Sequence, residues 1–351
     1  MKKLISMALT LTLVSALLAG CAGKPAVSEP AGDQEENSAN TETAAGTAVK
    51  TGLSMVTTVG GSKDASAESD GKAETNISLV AVTVGDDGVI DDCVIDMVQA
   101  KIGFNAAGEL TTDAAATFLS KNELGEAYGM KAASSIGKEW NEQAAAMADY
   151  AVGKTVEEIK GIAVNENGAP ADADLAASVT LSIGGFIAGI EDAVSKAEHL
   201  GAKAGDRLAL TSATNMAKSK NASAENDGLA QTYATVAAVT LNGDTVTSCY
   251  IDAVQANVNF GMDGVITSDL TAQQPSKNEL GDDYGMKAAS SIGKEWYEQA
   301  AAFAAYVTGK TVDEIAAIAV DDHTSPGEAD LAVSVTIGIG DFQELIAKAA
   351  Q

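Results

Sequence analysis

Residues 75–84 (TNISLVAVTV) crowd β-branched and aliphatic side chains together, which predicts a strand. Gly85-Asp86-Asp87-Gly88 supplies turn chemistry, and residues 89–96 (VIDDCVID) return as a second strand, so the pair forms a hairpin. The pattern then changes period. Residues 124–133 hold two glycines and predict a loop or short helical turn. Ile136, Trp140, Ala144, Met147 and Ala151 recur at helical spacing, predicting a helix over 136–152 with Ser134 or Ser135 as its cap and Gly153 as its stop. Thr155-Val156-Glu157-Glu158 is a capping-box pattern that opens a second, short helix. A third strand is expected over 175–183 (LAASVTLSI) and a last helix over 186–199.

The same pattern then occurs again. Residues 276–302 (SKNELGDDYGMKAASSIGKEWYEQAAA) differ from residues 120–146 at three of 27 positions, at an offset of 156. The second hairpin is expected over 232–241 and 245–252, around Asn242-Gly243-Asp244, a turn one residue shorter than the first. Thr311 to Glu314, residues 331–339 and the stretch from Phe342 onward complete the copy. The expected fold class is α+β: two tandem homologous domains, each an antiparallel sheet with helices packed on one face in the order β-β-α-α-β-α. The boundaries are 50–204 for the first repeat and 205–351 for the second. Identity is denser in 120–146 than on either side, which copying alone does not explain, so a site is sought there.

The first 49 residues follow other rules. Lys2 and Lys3 precede an apolar run over 4–18, too short for a comfortable membrane span, and Leu18-Ala19-Gly20-Cys21 follows. This resembles the lipobox of bacterial lipoproteins, which implies that residues 1–20 are a signal peptide and that Cys21 carries lipid, palmitate included. Residues 21–49 are rich in Ala, Gly, Ser, Thr, Pro and Glu and predict a flexible, lipid-anchored tether. The expected location is the extracellular face of the cell membrane.

The formal charge of −27 becomes −29 once Lys2 and Lys3 are removed, and a surface this acidic repels nucleic acid. His199 and His323, the only histidines, are not equivalent between the repeats, which argues against a duplicated His-based triad or zinc site. The Asp86–Asp92 cluster suits calcium, but the second copy keeps only Asp244 there, so no shared metal site is expected. Cys93 and Cys249 are equivalent and are expected as buried, unreactive thiols. No nucleophile stands at a readable spacing from a base, so no catalytic residue and no enzyme activity is expected.

In the dense segment the candidate ligand-binding residues are Lys121, Tyr128, Lys131, Ser134, Ser135 and Lys138. Their copies are Lys277, Tyr284, Lys287, Ser290, Ser291 and Lys294. In so acidic a chain the lysines make a locally basic spot, the serines bring hydroxyls and free N–H groups at a helix start, and the aromatic rings offer flat surfaces. Together they suit a phosphorylated aromatic ligand, flavin mononucleotide (FMN) being the obvious case. A packing role accounts for the same residues: Trp140 in the core, Met130 as filler, the serines as caps, the lysines as a solvated face. Asp96 and Gln99, with Asp252 and Gln255, are further duplicated polar positions for which contact with a ligand competes with satisfying the strand end.

The stretch YGMKAASSIGKEWYEQ resembles segments of clostridial surface proteins, and the layout is similar to that of extracellular FMN-binding lipoproteins of Gram-positive anaerobes. The resemblance implies a flavin carrier with a membrane redox partner. Such proteins commonly attach flavin through an S/T-G-A-T/S motif. Here Lys131-Ala132-Ala133-Ser134 departs from it, and Thr211-Ser212-Ala213-Thr214 comes nearer while its counterpart at Thr57-Thr58 does not. Three functions from different classes stand open: FMN-dependent extracytoplasmic electron transfer, capture of a solute for a transporter, and a surface structural or interaction role.

Overall fold

The computed structural model describes residues 45–351. The expected signal peptide, the expected lipidation site Cys21 and most of the expected tether lie outside the described residues. The first repeat comprises β1 (Lys50–Thr58), β2 (Gly71–Val84), β3 (Ile90–Phe104), α1 (Lys121–Leu124), a 3-10 turn (Gly125–Tyr128), α2 (Trp140–Ala151), α3 (Val156–Lys160), α4 (Ala173–Ala176) and α5 (Gly184–Ser195). The second comprises β4 (Arg207–Asn215), β5 (Gly228–Asn242), β6 (Thr245–Phe260), α6 (Lys277–Leu280), a 3-10 turn (Gly281–Tyr284), α7 (Trp296–Val307), α8 (Val312–Ala316), α9 (Ala329–Ala332) and α10 (Gly340–Ala349). The fold is α+β, with two similar three-stranded antiparallel sheets ordered β1-β2-β3 and β4-β5-β6.

Both hairpins form as expected, β2 with β3 and β5 with β6. Three expectations are corrected. First, β1 and β4 are strands that the sequence pattern did not reveal, so three strands precede the helices in each repeat. Second, residues 175–183 are not a strand. Asp172 caps α4 by accepting from the Asp174 and Leu175 N–H groups, and only Leu175, Val179 and Ile183, every fourth residue, are buried. Residues 331–339 behave alike, so neither repeat has the β-strand expected near its end. Third, α2 begins at Trp140, and its N-cap is Glu139 rather than Ser134 or Ser135. The capping boxes at Thr155 and Thr311 are present as expected. Of the tether, residues 46–49 are folded: the Gly46 and Val49 N–H groups donate to the Ala204 and Ala202 carbonyls, and Val49 is buried.

Each sheet uses its two faces differently. On one face of the first sheet, Val80, Val82, Cys93 and Ile95 pack against Trp140, Met147 and Ile190 of the helices. On the other, Ile77, Leu79 and Val98 pack against Ala234, Val236 and Val254 of the second sheet. The layers therefore run helices, sheet, sheet, helices. Equivalent residues are 157 apart in the first two strands of each repeat (232 − 75) and 156 apart after the shorter second turn (260 − 104). The contacts across the middle pair equivalents with each other. Thr232 Oγ1 donates to Thr75 Oγ1 at 3.0 Å, and the Phe104 and Phe260 rings stack with centroids 4.2 Å apart. The Ala65 N–H donates to the Gly264 carbonyl and the Ala222 N–H to the Gly108 carbonyl, both at 2.8 Å. These reciprocal contacts describe a pseudo-twofold relation between the repeats.

Candidate functional site

Two short segments carry the candidate residues into place. Ser120 caps α1 in a reciprocal box, its N–H donating to Glu123 Oε2 at 2.8 Å while its hydroxyl accepts from the Glu123 N–H at 3.2 Å. The Asn122 N–H reaches Asp96 Oδ1 at 3.0 Å and its Nδ2 reaches the Ile95 carbonyl at 2.9 Å, which ties α1 to β3. Lys121, between them, is thereby turned inward and is only 6% exposed. Its ammonium lies 4.5 Å from the Tyr128 ring centre and 4.8 Å from that of Trp140. Cation–π attraction strengthens in so desolvated a setting. Lys277 repeats the arrangement with Tyr284 at 4.8 Å and Trp296 at 4.7 Å. Burial lowers its ammonium to a pKa of about 8.

The rest of the dense segment is held by internal bonds. Glu139, 2% exposed, accepts from the Met130 and Lys131 N–H groups at 2.8 Å each, and its own N–H donates to Glu142 Oε2 at 2.7 Å. Glu295 does the same for Met286 and Lys287. The Met130, Lys131 and Glu139 N–H groups thus meet carboxylates of the chain itself. Ser134 Oγ accepts from Gln143 Nε2 at 3.2 Å, and Ser290 from Gln299 at 3.3 Å. Gln143, fully buried, also accepts from the Thr180 N–H at 2.8 Å, riveting the segment to the loop after α4. Lys131 pairs with Glu126 at the surface, Ser135, Lys287 and Ser291 are exposed, and Lys138 and Lys294 are half-buried. The structure therefore brings Lys121 with Tyr128, and Lys277 with Tyr284, around a tryptophan. The other eight candidates lie along the loop that leads into the helix.

Glu139→Ala would leave two N–H groups without an acceptor and is expected to cost about 2 kcal/mol. Urea unfolding of the variant checks this; a midpoint unchanged from wild type would refute the bracing role.

Beside Trp140 the first repeat contains a cavity of about 320 Å³, walled by Ser78, Asp96, Met97, Leu181, Ser182, Gly185 and Phe186 as well as the indole. Trp140 and Phe186 meet edge to face with centroids 5.8 Å apart. Trp140 is thus both a core residue and a cavity wall. A larger cleft of about 480 Å³ runs between residues 198–200 and the β6–α7 face, reaching His199, Cys249 and Tyr297. Of its wall residues, Glu198 and His199 are exposed. Burial pushes the Cys249 thiol up to about 12, and Cys93 is raised for the same reason, so neither is a nucleophile at neutral pH. The two thiols are free and sit in the helix-facing cores of different sheets. Asp86, of the acidic cluster, pairs with Lys50 at 2.7 Å and with His199 at 3.1 Å.

Sequence reasoning missed Ser78 and Gly185, which line the first repeat's cavity, and Asn76 on the same strand face, with their counterparts Tyr233, Thr235 and Asp341. The available signal was a difference between the copies, not an identity. No family model matches the chain, and no solved structure matches it. A 40-residue stretch is 52% identical to chlorophenol reductase of Desulfitobacterium hafniense, covering 11% of this chain and 12% of that protein.

Proposed function

We propose that the protein is a lipid-anchored extracellular binding protein that holds one flat-ring ligand in the cavity of the first repeat and makes or breaks no bond itself. One observation carries the reading: a buried ammonium stands on the indole that walls an open cavity. Aromatic walls favour a ring, and a few polar groups orient it. The anchor and location rest on Lys2, Lys3, the apolar run and Leu18-Ala19-Gly20-Cys21. FMN is one ring of this kind, and the sequence layout makes it the first cofactor to try, in an electron-transfer role with a membrane partner.

The test uses residues 22–351, secreted without lipid from a host able to attach flavin. Its absorption spectrum and intact mass are recorded, and it is titrated with FMN and with uncharged ring compounds. A ligand held here at 100 times its Kd should raise stability by about 2.7 kcal/mol. A panel in which no ring compound shifts the melting temperature or the tryptophan fluorescence would overturn the reading. A colourless protein that ignores FMN but binds another ring would remove flavin alone.

A further inference from the structure

The two repeats surround their buried lysines differently. In the second, the Tyr233 ring centre lies 4.8 Å from Lys277 Nζ, which donates to the Tyr233 hydroxyl at 3.2 Å. Thr235 Oγ1, on the same strand face, donates to Asp341 Oδ2 at 3.3 Å. Burial pushes the Tyr233 hydroxyl up to about 12, so it remains a neutral phenol at physiological pH. The chain has filled this site with a phenol ring, a hydroxyl on the ammonium and a carboxylate on a side-chain hydroxyl.

In the first repeat those three positions are Asn76, Ser78 and Gly185. Asn76 is turned into a polar ladder, donating to Glu74 at 3.2 Å and accepting from Gln99 at 3.0 Å. Ser78 and Gly185 line the cavity together with Trp140 and the buried Asp96, whose Oδ1 is already engaged by the Met97 and Asn122 N–H groups. Lys121 keeps its tyrosine and tryptophan, yet its ammonium has no hydrogen-bond acceptor among the described residues. Lys277 donates to a phenol hydroxyl, and Lys121 lacks that partner, so a ligand that supplies an acceptor would restore the bond the second copy makes.

We propose that the first repeat binds a hydroxyaryl acid: its phenol ring takes the place that Tyr233 holds in the second repeat, its hydroxyl accepts from Lys121 Nζ, and its carboxylate meets the Ser78 hydroxyl as Asp341 meets Thr235. This rests on the cavity being the ligand site and adds the class of ligand. The ligand would replace, group for group, what the second copy builds from its own side chains. The second repeat, already filled, binds none.

Calorimetric titration of residues 22–351 with 4-hydroxybenzoate tests it. One site per chain is expected, with benzoate and phenol each at least tenfold weaker. K121M should weaken binding at least tenfold. N76Y/G185D, which moves the second copy's filling into the first, should abolish it. Y233N/D341G should open a second site and raise the stoichiometry to two. Circular dichroism checks folding, and if K121M unfolds, the other two variants decide. Equal affinity for benzoate, or unchanged binding by folded K121M, would overturn the phenol assignment. If 4-hydroxybenzoate fails while FMN or another ring binds, the ligand class falls and the cavity reading stands. Binding that survives N76Y/G185D would overturn the cavity itself.

Discussion

Phe104→Ala is expected to destabilise the protein by about 4 kcal/mol, the cost of emptying a fully buried aromatic site. Both rings are 0% exposed and lie nearly parallel, 8° apart, where the two sheets meet. The opposing strand makes room for them. Phe104 faces Gly71 in register, and a Cβ on Gly71 would fall 2.5 Å from the ring; at Gly228 the corresponding distance to Phe260 is 2.4 Å. Alanine at either glycine should therefore also destabilise. Because each ring is the other's neighbour, F104A and F260A share one contact, and the double variant should lose less than the two singles combined, by roughly 1 kcal/mol. Urea unfolding of the four proteins gives the cycle. Strict additivity, or a single-variant cost below 1 kcal/mol, would deny the stack its role in joining the repeats.

Acidification from pH 7.5 to 5 is expected to stabilise the fold. Asp96 and Asp252 are 4% and 6% exposed, and burial pushes each carboxyl up to about 6 from an ordinary 3.8. Desolvation outweighs the hydrogen bonds that favour ionisation, from the Asn122 and Asn278 N–H groups and from the Ser120 and Ser276 side chains. The folded chain holds these protons more tightly than the unfolded chain. The stability they contribute is complete below about pH 4 and is lost as the pH rises through about 6. Each shift is equivalent to about 3 kcal/mol at most, at 1.36 kcal/mol per unit. Asparagine keeps an acceptor oxygen and does not titrate. D96N/D252N should therefore melt higher than wild type at pH 7.5 and lose most of the slope between pH 5 and 7. A slope as steep as wild type would assign the effect to repulsion within a chain of net charge −27 instead.

The hairpins could be read from the chain because β2 and β3 are long and their turns are rich in Gly and Asp. The strand β1 could not. KTGLSMVTT mixes a glycine, a serine and three threonines, and what makes it a strand is pairing with β2 along its whole length. In β1, Gly52 also lets α5 approach so closely that a Cβ there would lie 2.0 Å from the Ala193 carbonyl oxygen. Residues 175–183 misled in the opposite sense. Their β-branched content suggested a strand, whereas a capping aspartate and a fourfold burial period decided for a turn of helix.

The site was legible only in part. Near-identity of residues 120–146 with 276–302 drew attention to Lys121 and Tyr128, and these two do meet. Most of that identity preserves scaffold: Ser120, Glu139 and Gln143 each satisfy backbone groups that would otherwise be stranded. What separates an open cavity from a filled one is a set of three unlike pairs on β2, β5 and the last helices, distant in sequence from the dense segment. A search for sameness within the chain passes over them.

The pseudo-twofold between the sheets has a thermodynamic consequence. Contacts in which a residue meets its own equivalent are those of an isologous dimer, whose stability depends on subunit concentration. Here both halves belong to one polypeptide, so docking is intramolecular and dilution cannot separate them. A symmetric dimer of identical subunits must carry every substitution on both sides. The fused chain does not, and one half could close its cavity with Tyr233 and Asp341 while the other kept its cavity open, with the shared core between them left intact.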